Sequence, residues 1–344
     1  MTTHMTPFPA VHSVLCTQAL AGLVAAEYAP TSPVACQLLK RNISDTYLVT
    51  GLPEHRRAAL RVYRSGWRSS AEVGWELDFI GRVAGQSVGG QRVAVSRPLP
   101  RRNGELMGLL SAAEGPRLYV LFEWVEGRTP SADAADAAAY GSAAAALHSA
   151  SDGVAPGGRF HLNLDHLITE PLALVRPLLA ETPALWQELE DIAARVHGRL
   201  SPLLPELEWG ACHGDLHRSN ARIGPSGQVR LFDFDCGGPG WRAYDLAVYW
   251  WSQASGGSSS LEAAEEAWRA FVTAYQGRRV LGVADLEAAP HFVMARSIWF
   301  VGLMAGLVQE FGTEMLGTPV FEYDFNFMRT WEARQGAQRA DDRG

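Results

Sequence analysis

The chain has 344 residues, 47% of them apolar, with 30 Lys and Arg against 37 Asp and Glu for a formal net charge of −7. That length is too great for one small core and suits two lobes, and the lack of a basic footprint argues against nucleic acid as a partner. Cys16, Cys36, Cys212 and Cys236 have no disulfide-like spacing, which suits a reducing, cytoplasmic setting, and no charged-then-apolar leader opens the chain around Pro7 and Pro9.

In chain order, Cys16 to Glu27 reads as a helix, followed by a turn around Pro30 to Pro33. Ala35 to Lys40 and Thr46 to Val49 read as strands flanking the polar tip Arg41-Asn42-Ile43-Ser44-Asp45, a hairpin. Ala58 to Tyr63 is a third strand, whose alternation puts Leu60, Val62 and Arg64 on one face and Arg61 and Tyr63 on the other. Ser69 and Ser70 are candidate N-caps for a helix running to about Val83. Gln91 to Ser96 and Arg117 to Trp124 supply two more strands before Gly127-Arg128-Thr129-Pro130 breaks the pattern.

Beyond Pro130 the chain is overwhelmingly helical in pattern. The shift predicts an N-terminal lobe over 1–125, a C-terminal lobe over 126–333 and a polar, fraying tail over 334–344. Ala-rich Asp133 to His148 reads as a packed helix rather than low complexity. The most apolar run, Phe292 to Val308, carries Arg296 and Ser297 in its interior and reads as a buried helix rather than a membrane span.

The most informative stretch is Ala211 to Trp251, which contains HGDLHRSN and LFDFDCG. Phosphoryl transfer needs an aligned nucleophile and positive charge on the phosphate oxygens. Asp215 and Asn220 come from one short loop, and Asp233 ends the hydrophobic strand Val229 to Phe232. This spacing suits a carboxylate beside an attacking hydroxyl, with an amide oxygen and a second carboxylate for Mg²⁺. His213, His217, Cys212 and Cys236 invite zinc, but they form no C-x-x-C or H-x-x-x-H pair and sit among hard carboxylates.

His213-Gly214-Asp215 with Asn220, then Asp233, then Asp245-Leu246-Ala247 resembles the aminoglycoside phosphotransferase and choline kinase family, small-molecule relatives of the protein kinases. The resemblance implies an α+β, two-lobed protein-kinase-like fold, with an antiparallel sheet and one helix in the first lobe and a larger helical second lobe. It implies ATP and Mg²⁺ as cofactors. Asp215 would orient the acceptor hydroxyl and take its proton, and Asn220 and Asp233 would hold the metal. His213 and Asp245 would hold the loop. His217 or Arg218 would touch the transferred phosphate. Asp235 is open between a second metal, a cationic substrate and loop amides.

In the first lobe the resemblance assigns Ser44, Thr46 and the backbone of the hairpin tip to phosphate oxygens, in place of a glycine-rich loop. Arg61 stands where protein kinases carry a Lys and would clamp phosphates, paired with Glu76 or with Glu72 one turn earlier. The adenine would meet backbone around Glu123 to Val125, with Leu121 or Phe122 at the gate.

The expected activity is transfer of a γ-phosphate to a hydroxyl of a small molecule, an amine-bearing acceptor being one candidate class. Asp152, His161, Asp165, Trp299 and Glu310 are candidate linings of its pocket. A stress-response-type protein Ser/Thr kinase and a non-catalytic nucleotide-binding regulator are the alternatives. The short path from Asp233 to Asp245 leaves no room for an activation loop and counts against the first of these.

Overall fold

Buried and half-buried residues alternate from Ile43 to Thr50, as in a strand with one face in a core. In the computed structural model, which describes residues 8–28, 33–52, 57–256, 260–313 and 318–341, this is the second strand of an antiparallel sheet. The chain forms two compact units, Met1–Ile80 with Ser96–Val125, and Gly81–Val95 with Glu126–Gly344. The break after Val125 falls where the composition shifts, but Gly81–Val95 clusters with the second unit and not with the N-terminal lobe predicted over 1–125. The predicted turn at Pro30 to Pro33 lies, but for Pro33, outside the described residues.

The first unit runs α1 (Thr17–Tyr28), β1 (Ala35–Arg41), β2 (Ser44–Thr50), β3 (Arg57–Tyr63) and the start of α2 (Ser70–Val83). After β4 (Ser87–Val88), β5 (Gln91–Arg92) and β6 (Ala94–Val95) it resumes with β7 (Met107–Ala112) and β8 (Gly115–Glu123). The five-stranded sheet has the order β1-β2-β3-β8-β7. Leu20 and Val24 of α1 pack on one face of it, against Tyr47, Val49, Leu60, Val62, Tyr119 and Leu121.

The structure departs from the predicted elements in several places. The hairpin tip is only Asn42-Ile43, so Ser44 and Thr46 lie within β2. The single strand predicted over Gln91 to Ser96 is two short ones. β5 pairs with β4 across Gly89-Gly90, both at positive φ, and β6, like them part of the second unit, pairs in parallel with another strand of that unit. The unpredicted β7 passes Tyr119 so closely that a Cβ at Gly108 would lie 2.2 Å from the ring.

The second unit is helical around small sheets. Its elements are α3 (Ala134–Ala150), α4 (Glu170–Val175), α5 (Pro183–Leu200), β9 (Trp209–Cys212), β10 (Ala221–Ile223), β11 (Val229–Leu231) and β12 (Gly238–Trp241). Then come α6 (Arg242–Ala254), α7 (Leu261–Gln276), α8 (Val283–Gly306), α9 (Val308–Phe311) and α10 (Thr318–Asp341). Asp133 caps α3, its side chain accepting from the Asp136 N–H. By length and composition α8 could cross a membrane, and 78% of its most apolar stretch is buried in the fold. The tail expected to fray from Arg334 is helical to Asp341, and Arg334 pairs with Glu262 at 2.7 Å and with Glu265.

The helices α3 and α7 meet at Gly141, where a Cβ would lie 2.0 Å from the Phe271 carbonyl oxygen. Helix propensity alone would make Gly141→Ala stabilising by about 1 kcal/mol. The backbone contact reverses that sign, and the variant is expected to lose about 2 kcal/mol in urea denaturation.

Candidate active site

In the first unit, strand register decides which side chains meet. Thr46 lies opposite Arg61, and Arg61 opposite Val120, so all three share the face away from α1. Arg61 Nη1 donates to Glu76 Oε1 at 3.0 Å, the Tyr63 hydroxyl donates to Glu76 Oε2 at 3.0 Å, and Glu76 is fully buried. Glu72 has another task. Its carboxylate accepts from the Ser69 N–H at 2.8 Å while its own N–H donates to Ser69 Oγ, a capping box at the start of α2. Of the two carboxylates that the sequence leaves open, Glu76 is the one seen bonded to Arg61, and Ser69 is the cap of α2. Arg61 also lies over the Phe122 ring at 5.1 Å.

Ser44 Oγ is buried with no hydrogen-bond partner among the described residues. The residue between it and Thr46, Asp45, points into the core face and pairs with buried Arg117 at 2.8 Å and His12 at 3.1 Å. Glu123 uses its N–H on the Arg97 carbonyl at 2.8 Å, its carbonyl accepts from Ser96 Oγ at 2.7 Å, and its carboxylate pairs with Arg97. Val125, two residues on, is half-buried at the end of this unit.

In the second unit the loop after β9 is fixed by one carboxylate. Asp245, fully buried in the first turn of α6, accepts from the His213 and Gly214 N–H groups at 2.7 Å each and pairs with His148 Nε2 at 3.0 Å. Burial pushes the His148 imidazole below its ordinary range despite Asp245, so it is neutral, with Nε2–H toward Asp245 and Nδ1 accepting from the Tyr275 hydroxyl at 2.9 Å. His213 is likewise buried and held neutral by desolvation. Its Nδ1 accepts from the Asp215 N–H at 3.3 Å, which leaves Nε2–H for the Phe232 carbonyl at 3.1 Å. Gly214 has φ +76°, and a Cβ there would lie 2.0 Å from the Cys236 carbonyl oxygen, so glycine is required where the two loops cross.

Asp215 is presented by this loop with its side chain 14% exposed. Asn220 Nδ2 donates to its Oδ2 at 2.8 Å and to its backbone carbonyl at 3.1 Å. His217 Nδ1 accepts from the Ser219 N–H, so its Nε2–H faces Asp215 Oδ2 at 3.1 Å. Of the two residues that sequence leaves level, His217 and Arg218, it is His217 that touches Asp215. Oδ1 receives Arg296 Nη2 from α8 at 2.5 Å. Burial alone would raise the Asp215 carboxyl, but the His217 imidazole and the Arg296 guanidinium that face it outweigh this and hold the group well below the usual carboxylate range.

With its amide nitrogen bound to Asp215, Asn220 turns Oδ1 away as an oxygen donor. The Phe232 N–H donates to the Asn220 carbonyl at 3.0 Å, which brings the next residue, Asp233, beside this loop. Asp233 has φ 69°, the left-handed region, unlike any other described non-glycine residue. Asp235 is buried, and its carbonyl and that of Gly237 accept from buried Arg159. Between Asp233 and Asp245 the chain is taken up by a turn and β12. An oxygen-only set of Asn220 and Asp233 fits a hard divalent ion.

Of the proposed acceptor linings, Asp152 is tied up with Arg242 and Arg279, and His161 and Asp165 are exposed. Trp299 is buried, donates to His166 Nε2 at 3.2 Å and lies 4.3 Å from the Arg296 guanidinium. Glu310 is half-buried in α9. Arg296 is a site residue that sequence reasoning misses. Its one sequence signal is a lone guanidinium inside the most apolar run of the chain.

The sequence profile described as the phosphotransferase enzyme family matches residues 35–281. A Deinococcus radiodurans protein described only as uncharacterized is 55% identical over 330 residues, covering 96% of this chain and 94% of the relative. The Synechocystis protein sll1119 is 31% identical over 246 residues, 70% of this chain and 66% of the relative. Among solved structures, a microcompartment-associated aminopropanol kinase superposes with a TM-score of 0.69 at 24% identity, covering 93% of this chain and 98% of that one. The amicoumacin kinase hAmiN, in complex with AMP-PNP, Ca²⁺ and Ami, gives 0.71 at 18% identity, over 91% and 93%.

The neutral His148 and His213 make a pH prediction. Their folded pKa values lie below the unfolded one, so unfolding binds protons, and the stability they contribute is present above about pH 6.5 and lost as pH falls below it. Urea midpoints should fall from pH 7.5 to pH 5.5, and His148→Gln should flatten that dependence; an unchanged slope would count against buried neutral histidines.

Proposed function

The chain belongs to the phosphotransferase enzyme family, and on that premise we propose that it is an ATP-dependent kinase that phosphorylates a hydroxyl of a small molecule. One observation carries the reading. Asp215 is kept ionised on a loop pinned by Asp245, with the Asn220 amide bound to it and Asp233 next to that pair. A carboxylate so far below its usual range is a weak base for a free alcohol. It aligns the hydroxyl and accepts the proton late, as a loose transition state requires.

Asn220 and Asp233 would hold Mg²⁺, which supplies positive charge to the phosphate oxygens when bound. His217, bonded to Asp215, can donate to the same region only by giving up that bond, so its first role is to hold the carboxylate. In the first unit, Ser44 and Thr46 would meet phosphate oxygens, the enclosed Ser44 hydroxyl only once the residues that cover it move. Arg61, oriented by Glu76, would clamp phosphates in bidentate fashion. The adenine would be read by the Glu123 carbonyl and the Val125 N–H.

A segment as short as Asp233 to Asp245, filled by β12, has no stretch to be switched by phosphorylation, which favours a metabolite kinase over a protein kinase. Relatives of known structure include kinases named for aminopropanol, choline and ethanolamine. We take an amino alcohol or amino sugar as the first class to test, in a cytoplasmic setting.

The test is ADP release from Mg-ATP against amino alcohols, aminoglycosides, amino sugars, hydroxy amino acids and sugars. Asp215→Ala should lower kcat by at least ~10²-fold, and Asp233→Ala should abolish Mg-dependent turnover. Turnover that survives Asp215→Ala unchanged would sink the assignment. Glu76→Gln should raise the KM for ATP, whereas Glu72→Ala should leave it alone and cost only about 1 kcal/mol of stability through the lost cap.

A further inference from the structure

Arg296 is buried in α8, and the kinase chemistry assigned to Asp215, Asn220 and Asp233 gives it no task. Its guanidinium lies 4.3 Å from the Trp299 ring centroid and 5.0 Å from that of Trp251, the seat an aromatic pocket offers a cation. Nη1 donates to the Gly214 carbonyl at 3.2 Å and to the Tyr244 hydroxyl at 3.3 Å. Nη2 donates to Asp215 Oδ1 at 2.5 Å, and buried Nε has no partner among the described residues. A group placed only to fill a core would not leave a donor orphaned. The two bonded nitrogens instead span a backbone carbonyl and the next residue's carboxylate, so the planar fork fixes the Asp215 side chain relative to its own loop.

The acceptor sites of Asp215 are nearly all taken. A carboxylate offers about four lone-pair positions, two on each oxygen. Asn220 and His217 take both on Oδ2, and Arg296 takes one on Oδ1. One position remains, on Oδ1, and Arg296 determines where it points.

Resting on the assignment of Asp215 as the acceptor-orienting group, we propose that Arg296 is a positioning residue for phosphoryl transfer. It locks the Asp215 carboxylate so that a single lone pair of Oδ1 receives the acceptor hydroxyl. Arg296 does not touch the substrate; it acts through Asp215. Its occupation of the Trp251–Trp299 seat also means that an amine on the acceptor must find its counter-charge elsewhere.

The experiment is a kinetic cycle on the full chain, reading ADP release from Mg-ATP with water as acceptor in wild type, Arg296→Gln, Asp215→Asn and the double variant. Arg296→Gln should lower kcat by about 10- to 10²-fold, the scale of a misplaced catalytic group, with the KM for ATP within about twofold. In the Asp215→Asn background it should cost nothing more. A loss that multiplies with that of Asp215→Asn, or one that appears mainly in KM, would overturn the proposal. Arg296→Lys, which keeps the charge but not the fork, should recover only part of kcat and carries the cycle if the glutamine variant does not fold. Crystal structures of wild type and Arg296→Lys give a readout apart from turnover. The Asp215 carboxylate should rotate in the variant, and an unmoved carboxylate would refute the role. Wild type without Mg-ATP turnover on water or on any acceptor of the panel above would defeat the kinase reading itself, while those two structures would still decide whether Arg296 sets Asp215.

Discussion

The Asp245 carboxylate is the point on which the second unit turns. Two consecutive backbone N–H groups and one neutral imidazole converge on it, all of them buried. A carboxylate placed there without donors would cost several kcal/mol, so the contacts stand or fall together. Because His148 comes from α3 and is backed by Tyr275 of α7, the loop that presents Asp215 takes its shape from the helical core. The same loop is closed from its other side by Gly214 against Cys236 and by His213 against Phe232.

The first unit solves a similar problem on both faces of one sheet. On the core side Arg117 is wholly enclosed, satisfied by Asp45 and by the carbonyls of Val62, Tyr63 and Ser13. On the opposite side Glu76 is the enclosed partner and Arg61 the more exposed one. The Arg117–Asp45 pair is thus internal, whereas the Arg61–Glu76 pair leaves its cation partly accessible. Burying the acid rather than the base keeps the guanidinium aimed outward while fixing its stem.

The features legible in the sequence are those that are local in it. The loop from His213 to Asn220, the strand that ends near Asp233 and the Asp245 helix lie within a few dozen residues, and their relation is set by short turns. The sheet strands rich in alternating apolar residues are legible for the same reason. Arg296 is not, because its meaning comes from a contact 81 positions away. The strand Met107–Ala112 hides behind Gly108, a residue that weakens strand propensity and is there to clear Tyr119. The partner of Arg61 is not legible either, because Glu72 and Glu76 lie one turn apart on α2 and only the fold shows Glu76 bonded to it.

Asp233 holds a left-handed backbone conformation that glycine adopts at no steric cost and other residues at about 1 kcal/mol or more. Backbone conformation alone would favour glycine here, so the aspartate stands against the local preference. The left-handed turn therefore works as a filter on this position: whatever keeps an aspartate at 233 has to outweigh a standing backbone cost that no other described non-glycine residue bears.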